Sequence, residues 1–129
     1  MTAVTRAELV AYIFDNYSTE PDYPWHRTPN HAVFRHSGNR KWFALVLDVP
    51  RCKLGLPGEG ALDVVNLKCD PRLIGVLRGE TGIFPAYHMN KECWITVALD
   101  GGVSDEQIRL LLDMSYETTR PKICKGIGK

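Results

Sequence analysis

The chain has 129 residues, 44% of them hydrophobic and 24% charged, with 16 Lys plus Arg against 15 Asp plus Glu. That is room for one domain whose core needs neither disulfide nor metal to hold it. A formal charge of +1 excludes a polybasic protein that coats nucleic acid by bulk charge alone, and no stretch approaches the roughly 18 apolar residues of a membrane-spanning helix.

Thr5 with Glu8 three residues on has the form of a capping box, in which each residue caps the other's backbone. Leu9, Val10, Ile13, Phe14 and Tyr17 then recur at helical spacing, which predicts an amphipathic helix of about three turns. Ser18 to Asn30 carries Pro21, Pro24 and Pro29 and reads as a loop, with Tyr23 and Trp25 expected to pin it to the body. His31 to His36 is a short strand running into the turn Ser37-Gly38-Asn39. Lys41 to Val49 is the strongest strand, apolar on both faces, and stops at Pro50. Of its two alternating sets, Phe43, Leu45, Leu47 and Val49 are the larger and are expected under the helices. Trp42, Ala44, Val46 and Asp48 are then expected on a more open face.

After a loop rich in Gly and Pro comes a strand from Leu62 to Cys69. Asp70-Pro71 next starts a helix, Asp as N-cap and Pro at the first helical position. Leu73, Ile74 and Leu77 are its expected buried side, and Gly79 ends it. Ile83 to His88 and Trp94 to Leu99 are the last strands. The second alternates between Ile95, Val97, Leu99 toward the helices and Trp94, Thr96, Ala98 away from them. Ser104 with Gln107 repeats the capping-box form, and Ile108, Leu111, Leu112 and Ser115 mark the inner side of a final helix ending before Pro121. The order α-β(3)-α-β(2)-α predicts an α+β fold, mainly antiparallel, with helices on one face of the sheet and the other face partly open.

Chemistry-bearing motifs are few. Cys52, Cys69, Cys93 and Cys124 form no C-x-x-C pair and lack a His at ligand spacing, so neither zinc nor a redox motif is supported. Without the pattern of a secretory signal, reduced thiols in a cytoplasm are the expectation. No nucleophile elbow, phosphate-binding loop or metalloprotease motif is present. Cys69 stands near a helix N-terminus, where a thiol pKa can fall, but the favoured reading is a buried strand-end cysteine. Neither catalysis nor a cofactor is expected.

Charge, by contrast, is segregated. Residues 35–53 hold Arg35, Arg40, Lys41, Arg51 and Lys53 against Asp48 alone. Residues 120–129 hold Arg120, Lys122, Lys125 and Lys129 with no acid, leaving seven basic and fourteen acidic residues for the rest. Such polarisation is the compositional sign of an anionic partner. The last helix, with Asp105, Glu106, Asp113 and Glu117 against Arg109, would be repelled by one.

Several segments together carry a family resemblance. They are Ala32 to His36, Lys41 to Leu45, Asn66 to Pro71, Pro85 to Lys91 with Trp94, and Leu111-Leu112 with Ser115-Tyr116. The chain resembles the MmcQ/YjbR family of small bacterial proteins from about Thr5 to Thr119, with Cys93 standing where His is expected in much of the family. The resemblance implies a fold similar to type III secretion chaperones, and DNA binding through a saddle-shaped "double wing" sheet surface. It divides the chain into one domain, 1–119, and a basic tail, 120–129.

The residues and the resemblance together predict a non-catalytic, cytoplasmic protein that binds duplex DNA. Arg35, Arg40 and Lys41 of the basic hairpin would meet phosphates, and Lys68, His88, Lys91 and Trp94 would extend the contact along the sheet. One alternative is a chaperone-like module that holds a protein partner or a second copy on the open sheet, with no membrane involved. Another is a small-anion site near His88 and Lys91.

Overall fold

The computed structural model describes residues 5–27, 30–87, 89–100 and 102–120. His88 and the tail beyond residue 120 therefore lie outside the described residues. Among these residues three helices, α1 (Arg6–Tyr17), α2 (Pro71–Leu77) and α3 (Asp105–Thr119), are interspersed with five strands. These are β1 (Ala32–Arg35), β2 (Trp42–Pro50), β3 (Ala61–Lys68), β4 (Ile83–Pro85) and β5 (Trp94–Ala98), with a single 3-10 turn at Arg51–Leu54. The sheet runs β1-β2-β3-β5-β4, every neighbour antiparallel. Element order and fold class are those the sequence predicts.

The helix starts are set by the capping residues. The Thr5 hydroxyl accepts the Glu8 N–H at 3.1 Å while the Glu8 carboxylate accepts the Thr5 N–H at 3.0 Å, so the box is closed. Asp70 accepts the Arg72 N–H at 2.9 Å ahead of Pro71. Ser104 accepts the Gln107 N–H at 3.1 Å, but the Gln107 side chain turns away and donates to Glu80 at 3.1 Å. That second box is only half made. Two elements are shorter than expected: β1 stops at Arg35, and β4 ends at Pro85 rather than His88. In α2 only Ile74 is buried, and Leu73 is 39% exposed, because seven residues present barely one inward turn.

The largest departure lies in β2. Phe34 pairs with Ala44 but Arg35 with Trp42, so Phe43 is an extra residue, a β-bulge. A bulge advances the side-chain phase by one. Phe43, Ala44 and Val46 therefore face the helices together with Phe34, Val65, Leu67, Ile95 and Val97. Leu45, Leu47 and Val49 point to the opposite face, with Trp42. The expected assignment of the two sets is thus reversed beyond Phe43. The α3 residue Ser115 makes the irregularity tolerable: its hydroxyl donates to the Phe43 carbonyl at 2.6 Å and accepts the Lys68 N–H at 2.9 Å.

The second face is not open either. Val33, Leu45, Leu47, Val49, Leu62, Val64 and Ala98 form a second core there, flanked by Leu54, Leu56, Phe84, Tyr87 and Met89. A strand apolar on both faces is buried on both faces, and the β2–β3 connection folds back to supply part of the cover. Within this layer Asn66 and Thr96 are fully buried. Thr96 donates to Asn66 Oδ1 at 2.5 Å, Asn66 Nδ2 donates to the Tyr87 carbonyl at 2.9 Å, and the Tyr87 N–H donates to Thr96 at 2.9 Å. That closed triangle satisfies the buried polar groups and fixes the chain after β4. It gives the Pro85-Ala86-Tyr87 segment a structural role.

Candidate functional site

Antiparallel register gathers the candidate residues. Lys68 pairs with Trp94, Leu67 with Ala44, and Arg35 with Trp42. The end of β1, the start of β2, the end of β3 and the start of β5 therefore lie at one end of the sheet. The β4–β5 connection carrying Lys91 lies there too.

The β1–β2 turn is held tightly. The Arg40 N–H donates to the His36 carbonyl at 3.0 Å and the His36 N–H to the Lys41 carbonyl at 3.0 Å. Arg40 takes φ 64°, in the left-handed region, a position where such hairpins favour Gly or Asn. Asn39 donates to the Thr119 carbonyl at 3.0 Å and accepts the Lys41 N–H at 3.0 Å, tying the turn to α3. His36 is 4% exposed, and its Nε2 lies 3.0 Å from the Tyr116 carbonyl and 2.9 Å from the Thr119 hydroxyl. Around it pack Phe43 and Tyr116, and Tyr116 stacks on Tyr17 at 4.2 Å. Tyr17 in turn donates to Asp113. Burial holds the His36 pKa below its usual value.

Of the seven sequence candidates, His88 lies outside the described residues and the other six divide sharply. Arg35 already has an ionic partner, Asp22 at 2.6 Å, and its guanidinium lies over the Trp42 ring at 5.9 Å. Arg40 and Lys41 are exposed and have no acidic partner among the described residues. The Lys68 ammonium sits 5.8 Å above the Trp94 ring, a cation–π contact, and has no acidic partner among the described residues. Lys91 is exposed and likewise has no acidic partner among the described residues; with Lys53, Leu54 and Tyr87 it borders a cavity of about 280 Å³. Trp94 is 7% exposed, so the expected open-face ring is a buried one that supports Lys68 instead. On the loop, Trp25 meets Trp42 edge-on at 5.8 Å and does pin it, whereas Tyr23 is 51% exposed. Cys69 is 3% exposed, and burial, then the neighbouring Asp70 charge, push its thiol upward, the opposite of an activated nucleophile.

Sequence reasoning placed His36 only at the end of a strand and missed the cavity beside it. This space of about 460 Å³ is lined by residues including Tyr17, Thr19, Glu20, His36, Arg40 and Tyr116. Among the described residues, no group of three or more His, Cys, Asp or Glu is placed to hold a metal ion. Also among them, no helix is long and apolar enough to cross a membrane.

A five-stranded antiparallel sheet with three helices on one face and a cationic end defines a small α+β domain. The YjbR family model matches residues 15–118, and the chain belongs to that family. The uncharacterised protein YyaQ of Bacillus subtilis is 40% identical over 91% of this chain and 99% of its own length. Escherichia coli YjbR, also uncharacterised, is 44% identical over 54 residues, 41% of this chain and 46% of that protein. A crystal structure of a Pseudomonas syringae protein superposes with a TM-score of 0.88 at 47% identity, covering 90% of this chain and 99% of that one. A Deinococcus radiodurans protein with a DUF419 domain gives 0.66 at 26% identity, covering 88% and 77%.

Proposed function

We propose that the protein binds duplex DNA in the cytoplasm, without catalysis, through the cationic end of its sheet. The observation that carries this reading is that Arg40, Lys41, Lys68 and Lys91 are brought to one end with no carboxylate partner among the described residues. Phosphate neutralisation by such side chains supplies most non-specific affinity. Arg35, matched by Asp22, positions the hairpin, and Trp94 supports Lys68 from beneath. The one basic residue of α3, Arg109, is paired with Asp105 at 3.7 Å, and the helix opens with Asp105 and Glu106, so α3 is a poor reader of a groove and sequence specificity is low. The second core covers the sheet surface that a chaperone-like reading would need for its partner.

The test is duplex binding across a salt titration. Arg40→Ala with Lys41→Ala lowers the slope of log K against log salt by about two, since each phosphate contact contributes about 0.9. No binding to any duplex at low salt, or a slope unchanged by the double substitution, overturns the reading.

A further inference from the structure

The cavity between the end of α1, the β1–β2 turn and Tyr116 has the chemistry of a binding site of its own. His36 Nε2 faces the Tyr116 carbonyl, which can only accept, so Nε2 carries the proton. The Thr119 hydroxyl gives its own proton to the Ser115 carbonyl at 2.8 Å and therefore accepts from His36 as well. With Nε2 protonated and the ring neutral, Nδ1 is an acceptor, and it has no partner among the described residues although the residue is 4% exposed. Among the described residues, Arg40 lines the same cavity with no acidic partner, and Glu20 lines it with no basic one. The two non-glycine residues with left-handed backbone among those described, Ser18 at φ 51° and Arg40 at φ 64°, both line it. Backbone strain of this kind concentrates at ligand sites.

We infer that this cavity binds a small hydroxylated organic anion, a polyol bearing one phosphate or carboxylate. The anionic group pairs with the Arg40 guanidinium, whose fork matches either oxyanion. Hydroxyl groups donate to His36 Nδ1 and to Glu20, which an apolar carboxylate would leave unsatisfied. Tyr17 and Tyr116 supply an aromatic wall. A volume of about 460 Å³ suits a ligand of monosaccharide size. The inference does not rest on DNA binding.

The experiment titrates the full chain with ribose 5-phosphate, gluconate, ribose and inorganic phosphate, by calorimetry and by 15N NMR of the His36 ring. Saturable binding of ribose 5-phosphate or gluconate is expected, at least tenfold tighter than ribose or phosphate, with the His36 Nδ1 resonance moving upfield as it accepts a hydrogen bond. The phosphate and carboxylate arms tell which oxyanion Arg40 prefers. Arg40→Gly, which keeps the backbone conformation and removes the guanidinium, weakens that binding at least tenfold. Lys68→Ala with Lys91→Ala, outside the cavity, leaves it intact while weakening duplex binding, which distinguishes the two readings although Arg40 belongs to both. The inference is overturned if neither polyol anion binds at millimolar concentration, if inorganic phosphate binds as tightly, or if binding leaves His36 Nδ1 or the Arg40→Gly affinity unmoved.

Discussion

The two ends of the sheet handle charge in opposite ways. At one, Asp48 and Asp63 stand directly opposite each other across β2 and β3, an arrangement that repels unless neutralised. Arg6 reaches Asp63 at 3.3 Å and also donates to the Asn30 carbonyl, while Asn30 donates to Asp48 at 2.8 Å and His31 lies 3.6 Å from it. Like charge there is resolved internally. At the other end Arg40 and Lys41 are held by the backbone bonds of the hairpin and Lys68 by the Trp94 ring, and the charges of all three, like that of Lys91, have no acidic partner among the described residues. Charge balanced within the chain serves the fold; charge positioned but not balanced is available to something outside it.

The contrast can be broken most severely at Ser115. Ser115→Ala orphans the Phe43 carbonyl and the Lys68 N–H together, each worth about 1–3 kcal/mol when buried without a partner. The denaturant midpoint should fall accordingly at unchanged m, with duplex affinity falling too because Lys68 is no longer fixed. Next comes the acidic end. Arg6→Ala leaves Asp63 facing Asp48 and, for partly exposed groups, costs about 0.5–1 kcal/mol, without altering the salt slope of duplex binding. A changed slope would dissolve the distinction between the ends.

Arg40→Gly should raise stability by up to about 1 kcal/mol by relieving the left-handed backbone, even as it removes a candidate contact. A loss of stability would mean that the guanidinium has a structural role. The smallest effect at neutral pH belongs to His36, whose pKa burial lowers from 6.5. Below about pH 6.5 the unfolded chain takes up a proton that the folded chain refuses, so stability declines on acidification through that window and is unaffected above it. Comparing acid titrations of the parent and His36→Gln by thermal unfolding isolates this slope, which should be shallower in the variant.

Much of this architecture was legible in local sequence. Thr5, Asp70 and Ser104 announce helix starts because capping is decided within three residues, and the clustering of Arg35, Arg40 and Lys41 follows from one hairpin. The bulge was not legible. A strand apolar at nearly every position from Trp42 to Val49 carries no alternation from which to read phase, so nothing signals the extra residue at Phe43. The same double-sided apolarity did announce a sheet buried on both faces, a signal outweighed by the one-sided placement of the helices. For the site, Arg35 is matched by Asp22, thirteen residues earlier, a pairing created by the loop's return past β1. His36 escaped notice because its partners, Tyr116 and Thr119, lie 80 and 83 residues away. The pair Ser115-Tyr116 was the available clue, since its hydroxyl and ring face the bulge and the histidine.

The sheet's margins bear on how this protein can meet another. At one border Val33 exchanges both backbone hydrogen bonds with Asp22, at 2.8 and 2.9 Å, so that edge is already occupied by the chain's own loop. At the other border β4 is three residues long and ends in Pro85, which has no N–H to offer. Neither rim offers a long template for an incoming strand. A second macromolecule, whatever its nature, therefore docks against side chains rather than extending the ladder, and its grip will be read in charge and shape, not in backbone pairing.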